Sequence, residues 1–192
     1  MLVASIERRL ARLEAVEAIR ALKARYAALA DAKYTPGCER QADEVMRRVA
    51  WQQALCFTED AAWEAGDGFG NALTGRDQLY EWFQRSPWCF AVHYYGSPEF
   101  DIDGNEAQAR WRLWQLALRQ DTREAVLLAA TTEESYRRES DEVWLCSRIR
   151  FVGLHLTPLG HGPDPLVATL AALDMRRPSP TGETGRAQTR HQ

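Results

Sequence analysis

No stretch approaches the roughly 18 consecutive apolar residues that a membrane-spanning helix needs, so the 192-residue sequence gives no candidate span. The N-terminus, MLVASIERRLARLE, reaches its first charge at Glu7, before an apolar h-region has formed, and no signal peptide is expected. Cysteine is sparse and scattered: Cys38, Cys56, Cys89 and Cys146 form no CxxC pair. A structural zinc site draws its ligands from closely spaced pairs, so these thiols read instead as reduced core or near-core residues of a cytoplasmic protein. An excess of basic charge is also missing. Lys and Arg number 24 against 27 Asp and Glu, for a net charge of −3 with both signs mixed, which argues against a nucleic-acid partner. No internal repeat occurs, and no metal or cofactor is expected.

Apolar residues make up 45% and charged residues 27%, an ordinary globular balance. A chain this long buries a core large enough to fold without staples. After Ser5, a potential cap, Ile6, Leu10, Leu13, Ile19, Leu22, Tyr26 and Leu29 recur at helical spacing and predict one helix to about Asp31. The KYTPGC stretch, 33–38, breaks it. A second helix is expected over about 39–56, with Val45, Val49 and Ala50 inward, followed by strand-like FTEDAAWEA. The glycine-rich GDGFGNALTG lacks the Lys-Ser/Thr of a phosphate loop and reads as a hairpin. GRDQLYEWFQRS predicts a short helix stopped by Pro87. Four strands follow, at 90–102, 107–119, 125–138 and 143–156, the first two joined through Asp103-Gly104. Helices first and a long antiparallel meander second make an α+β pattern, a curved sheet wrapped around N-terminal helices. The predicted organisation is one domain over 1–160, a possible docking helix over 161–175 and a disordered tail over 176–192, where apolar content nearly vanishes.

A sheet closed by helices encloses an apolar pocket in which a few polar groups carry the chemistry. Asp31 and Tyr26 lie on the first helix, His93 on the first long strand, Arg148 and Arg150 on the last. A carboxylate beside an imidazole fixes its tautomer and supports its protonated form, leaving the other ring nitrogen as a general base. A tyrosine or arginine nearby would stabilise a developing oxyanion. No serine or cysteine is placed as a nucleophile. The aromatic residues Trp63, Phe69, Tyr95 and Trp111 are first of all core residues, and with His155 they are candidates to line a pocket for a flat apolar ligand. Glu133 and Glu134 offer a possible second acid.

The segments RYAALAD, FTEDAAWEAG, GRDQLYEWF, HYYGSPEFDIDGNEAQARW and HLTPL, in this order over about 5–160, resemble the SnoaL-like branch of the NTF2-like superfamily. The resemblance is to the group with scytalone dehydratase, bile-acid 7α-dehydratase, hexachlorocyclohexane dehydrochlorinase and cofactor-free diarylpropane lyases. It implies a cone-shaped α+β barrel, often a homotrimer or homodimer. It also implies a helix aspartate and strand histidine as catalytic dyad, at Asp31 and His93, with Tyr26 at a helix position that often carries a polar catalytic group. An arginine about five residues after the tryptophan matched by Trp144 is frequent in the family, and here that position is Ile149, flanked by Arg148 and Arg150. Strand alternation turns both arginines away from the face that Ile149 shows. The 33–48 segment is longer than the family pattern and is a candidate lid or subunit contact.

Together these point to a cofactor-independent lyase that eliminates water or formaldehyde from a hydrophobic aromatic or polycyclic small molecule. An isomerase or cyclase in the same pocket, a non-catalytic ligand-binding protein and a structural subunit are the alternatives, since fold alone does not fix function.

Overall fold

A computed structural model describes residues 2–64, 71–140 and 142–160. The proposed docking helix, the tail, Phe69 and most of the glycine-rich loop lie outside these residues. The elements are α1 (Leu2–Asp31), α2 (Asp43–Ala54), β1 (Phe57–Glu64), β2 (Leu73–Thr74), α3 (Arg76–Gln84), β3 (Trp88–Asp103), β4 (Glu106–Arg119), β5 (Ala125–Arg138) and β6 (Trp144–Gly160). They form a six-stranded sheet in the order β2-β1-β6-β5-β4-β3. All pairings are antiparallel except β1 with β6. The expected meander is therefore present as β3 to β6, and β1 joins it in parallel beside the last strand. The helices pack on one face, with α1 against β3 and β6, α3 against β1, and α2 bridging α1 and α3.

The strands owe their curvature and facing to local sequence. In β4, Ala107, Ala109, Trp111, Leu113 and Gln115 are buried while the residues between them are exposed, the period-two alternation expected of a half-buried strand. The β3–β4 hairpin turns at Gly104-Asn105, where Gly104 takes φ +59°. A left-handed angle of this kind suits a residue with no Cβ. The Gly-Ser-Pro step of β3 does not end the strand. It makes a bulge between Gly96 and Glu99, and Ser97 takes φ 46°. Because β3 is an edge strand, the missing N–H of Pro98 costs no ladder bond.

Strand β6 carries three irregularities, opposite Ser135/Tyr136, Ala129/Thr131 and Ala125/Val126. Each inserts an extra residue and shifts the phase of alternation. Trp144 and Cys146 face inward, then Ile149 and Phe151, then Leu154 beyond Gly153, whose φ is +60°.

One helical expectation needs correcting. Ser5 does not cap α1, which already begins at Leu2 and runs through it. The helix also outreaches the domain. At about 1.5 Å per residue its length is about 45 Å, and only from Ala15 onward is its apolar face buried. Leu10 and Leu13 remain 54% and 66% exposed.

Candidate active site

The concave face of the sheet and the helices enclose a cavity of about 240 Å³. A cavity of roughly 150 Å³ holds one benzene ring, so this one has room for an aromatic ring with substituents. One wall is a row of cross-strand neighbours: His93 on β3 faces Gln115 on β4, Gln115 faces Leu128 on β5, and Leu128 faces Leu156 on β6. Trp63 and Phe151 line a second side, their rings 5.2 Å apart between centroids. The end of α1, the turn after it and α3 supply Tyr26, Lys33, Tyr34 and Phe83.

Asp31 is the last residue of α1, and the helix ends against β3. Its Oδ1 accepts from the backbone N–H of His93 at 3.0 Å and lies 2.7 Å from His93 Nδ1. An ionised carboxylate only accepts hydrogen bonds, so Nδ1 carries the proton and Nε2 keeps its lone pair. The backbone contact fixes the carboxylate on the strand as well as on the ring. His93 is thus neither a backbone-bonded strand histidine nor a solvent-facing one.

Tyr26 is buried and lines the same cavity, edge-on to Phe57, Phe83 and Tyr95 at centroid distances of 5.7, 6.1 and 6.2 Å. Burial, reinforced by the Glu134 carboxylate, pushes its hydroxyl far above the ordinary tyrosine range, and burial does the same to Tyr95. Both are neutral phenols, able to donate a hydrogen bond and unable to act as bases. Tyr34 is pushed up to about 12, chiefly by burial, and pairs with Ser86 Oγ at 2.6 Å.

Beneath Tyr26 and Tyr95 the narrow end of the cone is closed by a buried polar cluster. Lys23 Nζ lies 2.5 Å from Glu134 Oε1. Thr132 and Tyr136 donate to the same carboxylate, and Trp111 Nε1 donates to the Tyr136 hydroxyl at 3.1 Å. The Lys23 ammonium sits 3.8 Å from the centroid of the Tyr95 ring. Glu134, read from sequence as a possible second acid, is committed to this floor, while Glu133 pairs with Arg110 on the outer face.

The remaining expectations divide. Trp63 and Tyr95 line the cavity. Trp111 does not. It lies two positions deeper along β4 than Leu113, within the floor, edge-on to Phe100. His155 is exposed, because the bulge at Gly153 reverses the alternation and turns Leu154 and Leu156 inward instead. Arg148 is not brought to the cavity. It pairs with Glu64 on neighbouring β1, Nε to Oε1 at 2.5 Å and an Nη to Oε2 at 2.7 Å. Ile149 holds the inward position. From the 33–48 segment Lys33 and Tyr34 line the cavity. Arg40 donates to the Gln84 carbonyl at 2.9 Å, and Tyr34 pairs with Arg40 as an isolated bridge.

Sequence reasoning passed over Lys33, Gln53 and Gln115, all three lining the cavity and buried. Alternation along β4 places Gln115 inward beside His93 and was signal enough. Gln53 Oε1 and Gln115 Nε2 have no hydrogen-bond partner among the described residues. Lys33 gave no signal, since it sits in the helix-breaking KYTPGC stretch. The four cysteines are free. Burial raises Cys56 to about 11, and burial with the Glu134 carboxylate raises Cys146 well above its ordinary value, so neither thiol is a ready nucleophile. Among the described residues no group of three or more His, Cys, Asp or Glu side chains could hold a metal ion, and no helix is long and apolar enough to cross a membrane.

An open curved sheet with helices enclosing an apolar cone is the NTF2-like architecture. Within it the chain belongs to the SnoaL-like domain family, whose family model matches residues 11–150, as the sequence resemblance implied. Solved structures agree on the fold. A type 2 hexachlorocyclohexane dehydrochlorinase superposes with a TM-score of 0.66 at 19% identity, over 83% of this chain and 99% of that one. A type 3 enzyme of the same name from Novosphingobium barchaimii gives 0.62 at 20% identity, over 80% and 97%. A scytalone dehydratase-like protein from Novosphingobium aromaticivorans gives 0.59 at 17% identity, over 79% and 97%. No curated protein matches the chain in sequence.

Proposed function

We propose that this protein is a cofactor-independent lyase that eliminates a small group, water by default or formaldehyde, from a hydrophobic aromatic or polycyclic compound, with His93 as general base. The observation that carries this reading is the Asp31–His93 contact at 2.7 Å on the wall of an apolar cavity. Asp31 holds Nδ1, and Nε2 takes a proton from substrate carbon. In a dehydration the C–H pair becomes the new C=C bond, and the C–O pair leaves with oxygen. The imidazolium returns its proton to that oxygen, and water departs. Tyr26, a neutral phenol in the same cavity, donates a hydrogen bond to the departing oxygen. The dehydrochlorinase and dehydratase-like structural neighbours support elimination as the reaction class.

A product screen by mass spectrometry tests this. Chelator-treated protein is incubated with hydroxylated diaryl, phenolic, steroid and terpenoid compounds beside the His93→Ala variant. The expected result is a product lighter by water or formaldehyde with the wild type, formed about 10²- to 10⁴-fold more slowly by the folded variant. Equal rates in the two proteins would remove His93 from the chemistry.

A further inference from the structure

When a base takes a proton from carbon, the electron pair left behind has to be drawn onto an atom that can hold negative charge. The cavity offers neutral phenols for this, and Arg148 is turned away to Glu64. The chain places a different cation there. Lys33 follows Asp31 by two residues, is 7% exposed and lines the same cavity as His93. Its Nζ donates to the Phe83 carbonyl at a long 3.3 Å and lies 5.6 Å from the centroid of the Phe83 ring. An ammonium carries three N–H donors, and that carbonyl takes one. Among the described residues Asp31 makes no ion pair with it within 4.0 Å, and Asp31 Oδ1 is held by the ring and backbone of His93.

We propose that the Lys33 ammonium binds the substrate oxygen that becomes negative when His93 removes a proton from carbon, so that the preferred substrates carry a carbonyl conjugated with the acidic C–H bond. This rests on the reading of His93 as base. The C–H pair becomes a C=C bond and the carbonyl π pair moves onto that oxygen, giving an enolate, or a phenolate where the carbonyl belongs to a cyclohexadienone ring. Collapse of this anion forms the C=C bond and expels the leaving oxygen, which takes the proton back from His93. Lys33 keeps its proton throughout. Burial lowers its pKa to about 8, Asp31 working against the shift and Arg40 with it. An ammonium poised there is a strong donor to an oxyanion. The other ionisable groups lining the cavity are His93, Tyr26, Tyr34, Tyr95 and Arg85 at the rim.

The test needs no turnover. The visible absorbance of 4-nitrophenol reports its phenolate form, and the probe is titrated across a pH series with wild type, Lys33→Met, Lys33→Arg and His93→Gln. Wild type is expected to bind the phenolate about ten- to a hundredfold more tightly than the phenol, as a charge-assisted hydrogen bond implies. Lys33→Met should lose that preference, and Lys33→Arg and His93→Gln should keep it. Should Lys33→Met fail to fold, retention in Lys33→Arg and in His93→Gln still supports the assignment. Loss in His93→Gln with retention in Lys33→Met would assign the anion to the imidazolium and overturn it. A wild type that leaves the probe's acid–base equilibrium at its solution value overturns it too. Failure of the lyase reading would appear separately, as absence of product in the mass-spectrometric screen.

Discussion

Lys33 sets folding stability against chemistry. Its fall from an ordinary 10.5 to about 8 corresponds to about 3 kcal/mol of unfavourable burial when both folded and unfolded chains carry the charge, that is, below pH 8. Between about pH 8 and 10.5 the unfolded chain binds more protons at this position than the folded one. Stability from this group therefore rises with pH through that window. Lys33→Met is expected to be more stable than wild type at pH 7, by up to about 3 kcal/mol, and the advantage should shrink toward pH 10. Denaturant unfolding of both proteins at the two pH values measures it. A difference that does not change with pH would show that Lys33 is not the group responsible. At this scale the sequence was uneven. Asp31 and His93 were legible because residue type, element and family position agreed. Lys33 was not, because a lysine beside a Pro-Gly breaker looks like any solvated turn residue until the turn is seen folded against α3.

Strand β6 shows that an element's existence is readable while its end, at Gly160 and not 156, and its side-chain facing are not. Its existence follows from an apolar run after a turn, and its inward positions follow from its first two bulges, which hydrophobic alternation does not announce. Gly153 is the hinge of the second. At φ +60° and with no atom within 4 Å of the place a Cβ would occupy, its requirement is conformational and not steric. Gly153→Ala is expected to cost about 1–2 kcal/mol, the penalty of a left-handed backbone for an L side chain. If the strand instead relaxes by shifting phase, His155 turns toward the cavity and Leu154 leaves it. Thermal unfolding reads the cost. Ring fluorescence of Trp63 and Trp88 cannot be separated from the other tryptophans, so histidine NMR, following His155, reads the phase. A variant as stable as wild type would show that the bulge does not depend on glycine. Helix α1 makes a complementary point: the 3.6-residue period identified its apolar face, and only the length of the sheet beneath it decided which half of that face is covered.

At the scale of the whole molecule, the exposed half of α1 departs, among the described residues, from a self-contained domain. Val3, Ile6, Leu10 and Leu13 stand exposed on one helix, and contiguous apolar surface of this kind marks association sites. We predict that the chain self-associates through this helix. Leu10→Glu combined with Leu13→Glu should lower the assembly mass in sedimentation equilibrium, with the circular dichroism spectrum of the fold retained. An unchanged mass would place any contact elsewhere, for which the exposed cross-strand pair Tyr94 and Trp114 on the outer sheet face is the next surface.

The family resemblance pointed to Asp31 and His93 as partners, and tertiary structure brought them to 2.7 Å. By itself the sequence determined the α+β class, the element order and the meander. These follow from local periodicity, turn residues and residue type, which are properties of short stretches of chain. Tertiary structure decided what faces the cavity. Bulges in β6 turned His155 out and Leu154 in, and β1 drew Arg148 to Glu64. The depth of the cone put Trp111 in its floor, and docking of the 33–48 segment on α3 carried Lys33 into the wall. Each depends on contacts between residues far apart in sequence, whose register no local pattern encodes.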